Sequence, residues 1–272
     1  PFARRLARNL QVLLQEESHL GKVADPAGGA FLHETLAEEL ARSGWSAFQA
    51  LEASGGWRGV LASGALREQA EADAARRIAD LATGRADLIG VTAYPVLTPD
   101  APEAGPGLAP VAPPEGVPAA CALAEPFEQL AYAAAALPDR PQVFLATLGG
   151  KAAFGARASF AANQLAVAGI EAIAPAEHAG VDACADAFAA SGAHAAILCG
   201  TDDAYAEHAE ALARALKDRG ARAVWLAGRP SRDAAALKAA GVDHFSHLRS
   251  DKLEELARLL ETLGAQLPEA AA

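Results

Sequence analysis

The strongest constraint on this chain lies in residues 140–265, where short apolar runs alternate with helical patterns on a regular beat. Val143–Thr147, Ile170–Ala174, Ala195–Cys199, Ala223–Ala227 and Asp243–Ser246 read as strands, with Gly or Pro close to an end of each. Between and after them, Ala158–Ala168, Ala183–Ser191, Tyr205–Asp218, Arg232–Ala239 and Leu253–Leu263 carry helical periodicity. The strand runs are too continuously apolar to present one face to water, so both faces must be covered. Strand–helix units of this length imply an α/β fold, a flavodoxin-like doubly wound parallel sheet.

Residues 1–97 have a different grain. Leu6, Leu10, Leu13 and Leu14 line one face of a helix that Asp25-Pro26 and Gly28-Gly29 follow with a turn. Leu36, Leu40, Trp45, Phe48 and Leu51 mark a second helix ending before Gly55-Gly56. Trp57–Leu61 and Arg67–Leu81 read as helices, and Asp87–Tyr94 as a strand leading into Pro95. Seven prolines, at 99, 102, 106, 110, 113, 114 and 118, make residues 98–118 a stiff linker. A short helix over Phe127–Leu137 follows. The expected domains are therefore 1–97, a linker with its short helix at 98–139, and 140–272.

Composition removes several function classes. A net charge of -11 argues against an extended basic surface for nucleic acid. No apolar run approaches the length of a membrane span, and no signal peptide opens the chain. Cys121, Cys184 and Cys199 form neither a C-x-x-C pair nor a disulfide framework, which fits a reducing cytoplasm. The chain contains no Met and opens on Pro1 already close to a helical pattern, which reads as a fragment of a longer polypeptide.

The segment Arg4–Gly29 carries a resemblance that periodicity alone does not supply. Arg8-Asn9-Leu10-Gln11, Gln15-Glu16-Glu17-Ser18 and Val23-Ala24-Asp25-Pro26-Ala27-Gly28-Gly29 resemble a segment of the methylmalonyl-CoA mutase family. That segment lies late in the family's (β/α)8 barrel. The later Leu88-Ile89-Gly90-Val91 fits the same order. The resemblance implies that residues 1–97 are the C-terminal part of such a barrel. It also implies that the last domain has the family's cobalamin-binding fold.

That comparison directs attention to the loops at the strand ends. Leu148-Gly149-Gly150-Lys151 follows the first strand but lacks the phosphate-loop spacing, since Ala152 stands where a hydroxyl is needed. Catalytic mutases carry D-x-H-x-x-G here, whose imidazole ligates cobalt and whose carboxylate orients it. Those positions fall on Ala152, Phe154 and Arg157, and no neighbouring frame restores the Asp or the His. Cys199, Gly200 and Thr201 stand where relatives have serines, and Gly228 is what remains of a glycine pair. Gly149, Gly150, Ala152, Phe154, Cys199, Gly200 and Gly228 thus outline a vestigial cobalamin pocket, with no catalytic residue and no metal ligand.

The remaining candidates point to structure. His244 and His247, three apart on a strand, face opposite ways and chelate poorly. Asp202-Asp203 suits a helix N-terminus. Cys199 reads as a small buried hydrophobe. The resemblance implies the small, beta subunit of a heterodimeric, adenosylcobalamin-dependent mutase interconverting methylmalonyl-CoA and succinyl-CoA. The large, alpha subunit would then hold the cofactor. Three alternatives stay open: a mutase for another acyl-CoA, a small-ligand sensor built on the Gly149-Gly150 loop, and a purely structural chain.

Overall fold

The computed structural model describes residues 2–97, 117, 122–230 and 234–267. Cys121, most of the proline-rich linker and the expected helix start at Arg232 lie outside those residues. The chain divides into two compact units, Pro1–Arg67 and Glu68–Ala272.

The first unit consists of helices. α1 spans Phe2–Glu16, α2 Phe31–Ala53 and α3 Gly56–Ser63. The Asp25 side chain accepts from the Ala27 N–H and its carbonyl from the Gly28 N–H, so the Asp-Pro turn closes on itself. Glu34 in the first turn of α2 reaches back to the Gly29 N–H at 3.1 Å. Gly55 and Gly56, at φ +100 and +67, make the tight passage into α3 that a side chain would strain. Neither α2 nor α3 contains a buried residue.

The second unit opens within α4, Ala65–Ala82, which starts at the unit boundary and buries Leu81 and Ala82 at its end. The expected strand at Asp87–Tyr94 is not formed. Val91, Thr92 and Ala93 N–H groups all return to the Leu88 carbonyl, and the Thr92 hydroxyl accepts from the Leu88 N–H. Only an isolated bridge joins Ile89 to Ala93. A strand needs a neighbour to take its backbone groups, and here the segment satisfies them within a turn.

α5, Glu125–Ala135, precedes five alternations: β1 Gln142–Thr147, α6 Lys151–Val167, β2 Glu171–Ile173, α7 Val181–Ser191 and β3 Ala195–Cys199. Then follow α8 Asp202–Asp218, β4 Ala223–Ala227, α9 Ala234–Ala239, β5 His244–Ser246 and α10 Lys252–Thr262. The sheet is parallel throughout with order β2-β1-β3-β4-β5, the flavodoxin-like arrangement.

Alternation along the strands builds two cores. Val143, Leu145, Ile197 and Trp225 face one way, in a cluster with residues of α5, α6 and α10. Phe144, Ala146, Leu198, Leu226 and Phe245 face the other, with residues of α7, α8 and α9. α5 belongs to the first core: Phe127 and Leu130 are fully buried there beside Leu81 and Leu165.

Candidate functional site

In an open parallel sheet, the ligand crevice lies outside the carboxyl ends of the strands where the strand order reverses. Here that point is between β1 and β3. It is tightly closed. The Leu148 N–H donates to the Cys199 carbonyl at 2.8 Å, and a Cβ on Gly200 would stand 2.9 Å from the Leu148 Cβ. Gly149, at φ +82, makes the turn into the helix, and Gly150 is the N-cap.

α6 then begins at Lys151 rather than at Ala158. The three positions compared with the cobalt-binding motif therefore lie on a helix and not on a loop. Ala152 is exposed in its first turn. Phe154 is buried in the core with Val143, Leu145 and Ile197. Arg157 crosses to the end of β3: its Nη1 donates to the Gly200 carbonyl at 2.6 Å and its Nη2 to Asp202. Its guanidinium lies 4.6 Å from the centre of the Tyr205 ring, and a Cβ on Gly228 would come within 3.8 Å of it.

Tyr205 fastens the sheet edge. Its hydroxyl accepts from the Gly200 N–H at 3.1 Å and lies 2.9 Å from both the Leu198 and Ala227 carbonyls, to one of which it donates. Burial pushes this phenol well above its ordinary range, so it stays a donor. The N-terminus of α6, where an anion would sit, holds an internal carboxylate: Glu177 accepts from the Lys151 N–H at 2.8 Å.

Behind this edge, between α6, α10 and β5, lies a buried polar cluster. Glu255 accepts from Gln164 Nε2, Ser246 Oγ lies 2.9 Å from both Glu255 and Gln164, and His244 Nε2 meets Glu255 at 2.6 Å. His244 packs against Trp225 with ring centres 5.0 Å apart. His247 turns instead to its own loop, where Nδ1 accepts from the Arg249 N–H. Among the described residues no group of three or more His, Cys, Asp or Glu is placed to hold a metal ion.

The structure thus gathers Gly149, Gly150, Gly200 and Gly228 at one sheet edge and sends Phe154 and Cys199 into the interior. Cys199 is fully buried and burial pushes its thiol up to about 12; the Cys184 thiol rises to about 11 for the same reason. The cap of α8 is Thr201, whose hydroxyl accepts from the Ala204 N–H, with Asp202 and Asp203 in the first turn behind it. Sequence reasoning missed Tyr205, Glu177 and the Glu255 cluster. One signal was present: Glu255 shares a helical face with Leu256, Leu259 and Leu260, where a carboxylate has no place without partners.

Comparison with known proteins places this architecture. The family model for methylmalonyl-CoA mutase matches residues 1–104. The chain is 41% identical to the methylmalonyl-CoA mutase small subunit of Streptomyces virginiae over 267 residues, 97% of this chain and 42% of that protein. Residues 1–104 thus carry the methylmalonyl-CoA mutase family's pattern, and the likeness to its small subunits extends over nearly the whole chain. The small subunit of Propionibacterium freudenreichii subsp. shermanii is 34% identical over 266 residues, 97% of this chain and 41% of its own length. The chain therefore spans less than half the length of those small subunits. The large subunit of Streptomyces virginiae matches at 39% over 97 residues, 36% of this chain and 13% of that protein. Likeness to small subunits runs through both units, whereas that to the large subunit covers about a third of the chain.

Proposed function

We propose that this chain is small-subunit sequence of a methylmalonyl-CoA mutase, and that it supports a large catalytic subunit rather than carrying the cofactor. The observation that carries this reading is the small-subunit likeness over 97% of the chain. Residues 1–97 are, on this reading, part of the mutase barrel, 98–139 the linker and 140–272 the cobalamin-binding-like domain. The helices of the first unit support that: their apolar faces have no core of their own and suit a barrel's outer layer.

The residues at the sheet edge do not fit histidine-ligated cobalamin. No imidazole stands on the first turns of α6, Phe154 is committed to the core, and Arg157 fills the space above Gly228. Gly149, Gly150, Ala152, Phe154, Cys199, Gly200 and Gly228 are then the remains of a pocket and not a working one. The adenosylcobalamin of the holoenzyme and the rearrangement of methylmalonyl-CoA to succinyl-CoA belong to the large subunit. What this chain contributes is a rigid, closed domain and a surface for that partner. No helix among the described residues is long and apolar enough to cross a membrane.

Two measurements test the proposal. Co-expressed with a mutase large subunit, this chain is expected to co-elute with it on gel filtration, with cobalamin absorbance in the shared peak. Alone, incubated with excess cobalamin and desalted, it is expected to elute colourless. Stoichiometric cobalamin on the isolated chain, with nitrogen hyperfine splitting from a protein histidine in the Co(II) spectrum, would overturn it.

A further inference from the structure

No further inference is drawn: the strongest candidate, the cleft of about 120 Å³ between α8, α9 and the carboxyl ends of β4 and β5, selects no ligand, because its acids Asp202 and Glu210 already pair with Arg157 and Arg214 and nothing in the structure shows what its exposed Arg229 meets.

Discussion

The two units use the same helical alphabet to opposite effect. α2 is 23 residues long and buries none of them, leaving Phe31 85%, Trp45 62% and Leu40 64% exposed. α8, with 17 residues, buries Tyr205, Ala209, Leu212, Ala213 and Leu216 at close to helical spacing. Helix propensity does not separate them. What differs is the surface offered to each stripe: a parallel sheet receives α8, whereas the contact of α2 with α3 buries no residue of either helix. Most helical stability in proteins comes from such packing, so equal-looking helices differ in worth by their partners.

The largest effect expected from this contrast is on independent folding. A polypeptide of residues 68–272 should melt cooperatively, because it contains both cores and the whole sheet. Residues 1–67 alone should show no cooperative transition and should associate through the exposed leucines and aromatics. Circular dichroism melts and sedimentation of the two pieces check this. A sharp, concentration-independent melt of the first piece would break the comparison.

The next test concerns α5. A sequence boundary at residue 140 leaves this helix with the linker, whereas Phe127 and Leu130 lie fully inside the core. Phe127→Ala should cost about 3–5 kcal/mol, the usual range for emptying a buried aromatic site. Urea denaturation of the 68–272 piece reads this directly. A loss below about 1 kcal/mol would return α5 to the linker.

How much of this was legible beforehand differs from place to place, and the reasons are physical. The strand–helix beat was visible because a buried parallel strand is apolar along its length, and all five strands fall within a residue of their expected ends. The start of α6 was misplaced because Gly149, Gly150 and Gly155 together read as a flexible loop. Lys151, Ala152, Ala153 and Phe154 are ordinary helix formers, and a single Gly155 costs only about 1 kcal/mol, so the helix runs through it. The strand reading at Asp87–Tyr94 failed because strands are made by neighbours, and periodicity cannot supply one. Arg157 was noted only as a missing glycine. Its partner Asp202 is 45 residues away, a distance across which one sequence carries no signal.

A smaller effect sharpens the polar side of the second unit. Glu255 is 4% exposed and depends on Gln164, Ser246 and His244 for hydrogen bonds. Gln164→Leu removes one donor and leaves a buried carboxylate short of a partner, which should cost about 1–3 kcal/mol. The double variant Gln164→Leu/Glu255→Leu should recover part of that loss, since an apolar replacement removes the desolvation penalty along with the bonds. A double-mutant cycle by chemical denaturation measures the coupling. Additive losses would show that the two side chains act independently.

The buried thiols give the alkaline counterpart. An unfolded cysteine ionises near 9.0, while burial pushes Cys184 to about 11 and Cys199 to about 12. Between these values the unfolded chain has lost protons that the folded chain retains, so stability falls as pH rises above about 9. Tyr205, raised by burial as well, extends the decline at higher pH. Cys199→Ala should therefore show a shallower drop in urea midpoint between pH 8 and pH 10 than the unaltered chain. An unchanged slope would remove this thiol from the account.

The smallest effect belongs to the sheet edge itself. Arg157→Ala deletes the bond to the Gly200 carbonyl and the contact with the Tyr205 ring, but Asp202 at its far end is 89% exposed and held in water. A partly solvated cation–π contact with one charge-assisted hydrogen bond is worth about 1–2 kcal/mol, and the exposed ion pair adds little. The edge should nonetheless stay shut, because the Tyr205 hydroxyl still accepts from the Gly200 N–H and donates to one of the Leu198 and Ala227 carbonyls, and Leu148 still bonds to Cys199. Hydrogen exchange at the Gly200 and Leu148 amides should hence remain slow in Arg157→Ala and accelerate in Tyr205→Phe, which leaves the Gly200 donor unpaired. The reverse order would make the arginine, and not the tyrosine, the group that closes this edge.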